Sequence, residues 1–358
     1  MKIIHNKIRG RGAQHDPANS FLQHAVQKDP EQLATEDEKE ALLYAQPKTQ
    51  YIEVFPKTII NRVESPDLAD YSLNPYQGCE HGCVYCYARN THEYWGYSAG
   101  IDFESRILVK KNAADLLRAE LRDQKWRPAG IMLAGNTDVY QPAEKQFGIT
   151  RKLLEVFNEL KHPVGLITKN SLIERDIDIL SRMAAENRVV VSISLTTLDE
   201  SLKRILEPRT SSAQSVLKTI RRLSDAGIPV QVLNAPVIPS LNDHEMFELA
   251  KAAAAAGARD IRYQVVRLNG KVAEIFNGWL EQAFPERASR IMNQIKDLHG
   301  GKVNDSRFGT RMKGEGHLAS IIASQQALAR KKFFSDQPKI QLDYSRFNAG
   351  TGKQLSLF

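Results

Sequence analysis

Short apolar runs alternate with longer amphipathic stretches across the middle of this chain, and that alternation leaves few folds open. Candidate strands are residues 130–134, 164–168, 189–195, 230–237 and 261–266. Helical stretches are expected at 112–124, 143–160, 172–185, 213–226 and 242–256, where apolar residues such as Leu153, Val156, Phe157 and Leu160 recur at helical spacing. Two of these helices run into Ala-Gly at Gly227 and Gly257, where glycine supplies the left-handed residue that ends a helix. Strand, helix, strand repeated in this way means parallel βαβ units. A short first strand before Cys79 brings the count to six, fewer than the eight of a closed TIM barrel. Periodicity alone does not separate a partial barrel from a doubly wound sheet.

In parallel α/β folds the working residues gather at the carboxyl ends of the strands. The loop after the first strand holds all 3 cysteines of the chain, Cys79, Cys83 and Cys86, in a CxxxCxxC spacing with Tyr85 just before the last. Their clustering argues against a disulfide framework and for a reduced compartment. Three thiolates on one short loop can hold three irons of a [4Fe–4S] cluster and leave the fourth without a protein ligand, an open position for chemistry. Gly78 and Gly82 permit the turns such a loop needs. The rival reading is a structural zinc site completed by His81 or His92, although structural zinc ordinarily takes paired knuckles separated by a longer loop. After the later strands come Gly135-Asn-Thr-Asp138, Lys169-Asn170, Ser194-Leu-Thr-Thr197 and Asn234-Ala-Pro236, polar groups placed to form a barrel mouth.

The cysteine spacing with Tyr85 resembles the signature of the radical S-adenosylmethionine (radical SAM) enzymes. Further motifs narrow the resemblance: Asn74-Pro-Tyr-Gln-Gly-Cys79 through Arg89, Asp102-Phe-Glu104, Thr137-Asp138-Val-Tyr-Gln-Pro142, Thr168-Lys-Asn170 with Arg175-Asp176, Glu207-Pro-Arg209, Ala235-Pro-Val-Ile-Pro239 with Leu241-Asn-Asp243, and Phe308 through Gly316. Together they look like the spore-photoproduct-lyase-like branch, often described as DNA repair photolyases. The resemblance implies an α/β fold, the partial (β/α)6 TIM-type barrel of radical SAM enzymes with an N-terminal arm and a C-terminal helical extension. It also implies that S-adenosylmethionine (SAM) chelates the open iron and is cleaved to a 5′-deoxyadenosyl radical, with the electron coming from a donor such as flavodoxin or ferredoxin. By position, Tyr85 then flanks the adenine, and Thr137 and Asp138 hold the amino group or ribose. Lys169 meets the carboxylate and Ser194 the ribose. One departure stands out. Spore photoproduct lyase carries an additional cysteine that returns a hydrogen atom to the product, and Gly135 stands where that donor belongs. Tyr140 and Tyr263 are the candidate hydrogen relays in its place.

Four regions are expected: a polar N-terminal arm (1–55), the barrel (56–270), a C-terminal extension (271–335) and a flexible tail (336–358). The start of the chain has no apolar signal region and no run of about eighteen apolar residues occurs, so a cytoplasmic protein without a membrane span is expected. A formal charge of +7 is compatible with a polyanionic partner, DNA above all. Arg307, Arg311, Lys313 and the basic run Arg330-Lys-Lys332 can meet phosphates, although a solvated charged face is the plainer reading of each. Gln354, Leu355, Leu357 and Phe358 resemble the peptide by which bacterial repair proteins bind the replication sliding clamp. The function expected is a radical SAM enzyme in DNA repair or modification. The alternatives are a radical SAM enzyme for a protein or small-molecule substrate, and a non-enzymatic zinc-bearing clamp adaptor. Anaerobic reconstitution with iron and sulfide is expected to load about four irons per chain, with a broad absorbance near 400 nm; one bound zinc and no such band would overturn the cluster.

Overall fold

The order of the strands settles which parallel fold this is. The computed structural model describes residues 8–22, 47–64 and 69–348. Its main sheet has seven strands in the order β10-β9-β8-β7-β6-β3-β2. They are β2 (Ile60–Arg62), β3 (Tyr71–Leu73), β6 (Ile131–Leu133), β7 (Val164–Thr168), β8 (Val189–Ser194), β9 (Val230–Val237) and β10 (Asp260–Val265). From β3 to β10 each strand pairs in parallel with the next, so the winding never reverses as it does in a doubly wound sheet. Edge strand β2 runs antiparallel to β3, and no pairing joins β10 to β2 among the described residues. The arrangement is the partial barrel of six parallel units.

Parallel strands are covered on both faces, which explains why they read as near-continuous apolar runs. Val164, Leu166, Val189, Val191, Val230 and Val232 are all buried. The helices outside press their apolar stripes onto this layer: Leu153, Leu154, Val156 and Phe157 from Ile149–Glu159, and Val216, Ile220 and Leu223 from Ala213–Asp225. Each such side chain contributes roughly 1.5–3 kcal/mol on burial. Helix ends behave as expected. At Gly227 (φ 78°) the Ile228 amide donates to the Leu223 carbonyl at 3.0 Å and the Gly227 amide to Ser224 at 2.9 Å, and the pattern repeats at Gly257. The 143–160 stretch is two helices rather than one, because Gly148 (φ 61°) turns the chain between them.

A second, small sheet was not foreseen. It has the order β1-β5-β4, from β1 (Gln50–Val54), β5 (Arg106–Lys110) and β4 (Tyr76–Gln77). β4 leads into the cysteine loop and β5 follows it, so that loop is an excursion between two strands of one sheet. Residues 50–54 and 8–22, both within the stretch read as a polar arm, pack here.

After β10 the chain forms helices Val272–Ala283, Ala288–Leu298 and Gly316–Phe334. The last lies against Met246–Ala255 and β10, with Phe333 on Phe247 (5.0 Å), Arg330 paired with Asp260 (2.7 Å) and Gln326 donating to the Ile261 carbonyl. It occupies the place of the helix after the sixth strand. The chain then crosses the amino-terminal ends of the strands. The Asp343 amide donates to Asn187, the Asn348 amide to Leu160, and Phe347 packs on His162. Residues 354–358, which carry the clamp-like motif, lie outside the described residues. No described helix is long and apolar enough to cross a membrane.

Candidate active site

The cysteine loop is pinned from three sides before any cofactor is considered. Its Cys79 amide donates to the Phe103 carbonyl at 2.8 Å. Gln141, fully buried, donates to the Gly78 carbonyl and accepts the Glu80 amide. Arg89, also fully buried, donates from Nε to the Cys83 carbonyl (3.0 Å) and from Nη1 to Ala99 and Gly100. Its remaining nitrogen is paired with Glu104, whose carboxylate also accepts the amides of Gly12 and Ala13 at 3.0 and 2.8 Å. Arg11 donates to the Glu104 carbonyl, which binds residues 8–22 to the loop as a strap. The packing leaves no room for side chains. A Cβ on Gly12 would lie 1.8 Å from the Gly82 carbonyl oxygen, and one on Gly78 (φ 81°) 2.9 Å from that of Arg106.

All three thiols are free and line one cavity of about 450 Å³. Burial raises the pKa of each, so the apo loop holds thiols that must lose protons to bind iron. Among the described residues no three His, Cys, Asp or Glu groups come close enough to share one metal ion, as a zinc site requires. A four-iron cube instead takes one thiolate at each of three separate corners, and three cavity-facing thiols on a tight glycine loop fit it.

Tyr85, Thr137, Asp138, Lys169 and Ser194, the candidate SAM contacts, line the same cavity. The strands explain the convergence, because Lys169 follows β7, Ser194 ends β8, and Thr137 and Asp138 follow β6. Each has a distinct setting. Asp138 accepts from the amides of Tyr140 (2.8 Å) and Lys169 (2.7 Å), from Thr168 Oγ1 (2.7 Å), and faces His81 Nδ1 at 3.3 Å. Burial alone would raise its pKa, but His81 and these donors outweigh it and hold the carboxylate below its usual range. The Thr137 hydroxyl donates to the Tyr76 carbonyl, and Asn74 Oδ1 accepts the amides of Asn136 and Thr137.

Lys169 belongs to a buried network centred on Glu207, a residue to which sequence reasoning gave no role. Glu207 takes Lys169 Nζ at 3.0 Å, Lys203 Nζ at 2.6 Å, Thr196 Oγ1 at 2.6 Å and the Tyr85 hydroxyl. Burial would raise its pKa, yet the two ammonium groups overcome that and push it well below the carboxylate range. Burial likewise opposes the charge on Lys169, and Glu207 leads the groups that restore it and raise its pKa. The signal available was the Glu207-Pro-Arg209 motif itself.

The relay tyrosines stand elsewhere. Tyr140 is fully buried and donates to Asp176 at 3.0 Å, while Tyr263 packs beside Val237, Met246 and Leu298; neither lines the cavity. Tyr87 does, and its hydroxyl donates to the Gly135 carbonyl. Of the basic residues, Arg311 lines the cavity together with Arg267, and its guanidinium lies 4.2 Å from the ring centroid of exposed Phe308. Arg307 is paired with Asp305 and Glu315, and Arg330 with Asp260.

Comparison with known proteins places this geometry. The family model of the radical SAM superfamily matches residues 73–253. An uncharacterized protein of Mycobacterium tuberculosis is 36% identical over 242 residues, covering 66% of this chain and 71% of that one. A radical SAM Nalpha-GlyT isomerase of Pseudomonas phage M6 is 26% identical over 230 residues, 63% of this chain and 46% of that protein. A spore photoproduct lyase variant with bound AdoMet and dinucleoside spore photoproduct superposes with a TM-score of 0.61 at 16% identity, covering 88% of this chain and 86% of that one, a likeness of fold.

Glu207→Gln is expected to destabilise the protein by about 3–5 kcal/mol at neutral pH, because two buried ammonium groups lose their counter-charge. A depressed carboxylate stabilises fully above its unfolded pKa of about 4.3 and loses that contribution as pH falls toward its folded value. The gap between wild type and variant in urea unfolding should therefore narrow as pH drops from 6 to below 4. A gap independent of pH would contradict the network.

Proposed function

Since this chain belongs to the radical SAM superfamily, whose enzymes use a [4Fe–4S] cluster and SAM, we propose that it directs that chemistry at nucleic acid, in a DNA repair or modification step. The observation that carries the reading is a single cavity wall that runs from the three thiols to Arg267 and Arg311. Guanidinium groups suit phosphate oxygens, and an exposed aromatic stacked on one of them suits an unpaired base. The spore photoproduct lyase fold and the name of the phage isomerase agree with such a substrate without specifying it.

The residues of the chain have separable tasks. Cys79, Cys83 and Cys86 hold the cluster, and Arg89 and Gln141 fix the loop that carries them. When bound, the cluster supplies the electron that cleaves SAM and yields the 5′-deoxyadenosyl radical. Tyr85, held by Glu207, walls the adenine side. Lys203, Lys169 and Glu207 together leave one positive charge at the cavity, which the SAM carboxylate neutralises through Lys169. Thr137 and Ser194 offer hydroxyls to the amino group and ribose. Asp138 favours the ammonium through its field, since its oxygens already accept four groups of the chain, and it sets the end of β7. Tyr87 is the phenol placed to exchange a hydrogen atom with a bound product; Tyr140 and Tyr263 are not. The electron comes from a flavodoxin- or ferredoxin-like donor, in the cytoplasm.

DNA-dependent release of 5′-deoxyadenosine, followed by mass analysis of damaged oligonucleotides, tests the reading. Release that depends on a peptide or small molecule and ignores DNA would favour the other substrate classes. DNA affinity is expected to fall with salt, and Arg311→Gln to lower the slope of log affinity against log salt by about one. An unchanged slope would remove Arg311 from the interface.

The C-terminal residues Gln354, Leu355, Leu357 and Phe358 form the proposed clamp-binding peptide, with apolar side chains for pockets and an amide at the entry. Deleting them should abolish binding to a bacterial sliding clamp and leave SAM cleavage unchanged; no affinity of the intact chain for the clamp ends this part of the reading.

A further inference from the structure

A second cavity, of about 500 Å³, lies between the strap, helix Glu200–Leu206 and helix Val272–Ala283. It shares no lining residue with the first cavity, but both border the segment that carries Glu207. Its wall holds three guanidinium groups, Arg9, Arg11 and Arg204, with the amides of Gln14 and Gln282, and no carboxylate. Trp279 gives it an aromatic side, fixed by an indole N–H bond to the Ile205 carbonyl at 3.0 Å.

Two observations mark it as built for a ligand. Arg11 is 4% exposed; its terminal nitrogens reach Glu104, Pro47 and Thr49, yet its buried Nε has no partner. A buried donor left in this state calls for an acceptor. Arg204 has no hydrogen bond or ion pair among the described residues. The acids nearby are already engaged, Glu104 with Arg89 and Glu80 with Thr49 and Tyr51. The excess positive charge is therefore uncompensated within the fold.

We propose that this cavity binds the phosphate of a nucleotide, either a free mononucleotide or one unit of a nucleic acid strand. Guanidinium forks match phosphate oxygens, and the volume beyond a phosphate leaves room for a sugar and a base against Trp279. The strap that forms one wall is the same segment that covers the cysteine loop, so the ligand would sit directly behind the radical-generating site without entering it.

Equilibrium dialysis of the full chain without SAM, using AMP, inorganic phosphate and a thymidine hexanucleotide in turn, tests this. AMP or the hexanucleotide is expected to bind saturably. Arg204→Gln and Gln282→Glu, both at exposed positions, should each weaken binding about tenfold or more, while Arg311→Gln in the other cavity leaves it within about twofold. Tighter binding of the hexanucleotide than of AMP identifies a strand as the source, and the reverse order a free nucleotide. Absence of saturable binding for all three probes at millimolar concentration overturns the proposal, as does wild-type affinity in both Arg204→Gln and Gln282→Glu. Because no turnover is measured, the outcome is independent of the proposed reaction.

Discussion

The buried pair between Arg89 and Glu104 is the interaction on which the rest of the site depends. Neither charge touches solvent, so each must find all its partners inside the fold. Arg89 spends its donors on the Cys83, Ala99 and Gly100 carbonyls, and Glu104 accepts two strap amides. The cysteine loop, the turn behind it and the N-terminal strap thus share one electrostatic centre. Removing any one of them leaves an uncompensated charge, which makes the three segments order together.

A second buried charge centre, Glu207, does for the opposite wall what Glu104 does for the loop. Tyr85 lies directly between Cys83 and Cys86 in sequence, and its hydroxyl ends on Glu207, as does Lys169 from the far side of the sheet. The cluster loop and the strand ends are therefore held in mutual register by a carboxylate that need touch neither cofactor. Such preorganisation matters where a reactive radical must meet one hydrogen and no other.

The barrel was legible because its strands are buried on both faces and its helices end in glycine caps, patterns that local sequence carries without help. Strand order was not, since a parallel sheet of either winding has the same periodicity; pairing alone distinguished them. β1 and β5 escaped notice because they are short and owe their existence to partners far along the chain. In the site, the rule that functional groups follow parallel strands correctly brought Tyr85, Thr137, Asp138, Lys169 and Ser194 to one cavity. That rule does not say which way a tyrosine points, so Tyr140 turned inward to Asp176 and Tyr263 packed into the helical layer while Tyr87 faced the cavity. Glu207 was hidden for a related reason: it lies beyond a helix rather than a strand, and only the folded chain carries it back.

The crossing of residues 343–348 beneath the strands has a further bearing. The cavity opens at the carboxyl ends of the sheet, and the chain leaves Asn348 at the amino ends. The molecule therefore has two working faces separated by the full height of its strands. A partner held by the last residues would grip the protein from behind, leaving the reactive mouth turned outward and free to scan whatever passes in front of it.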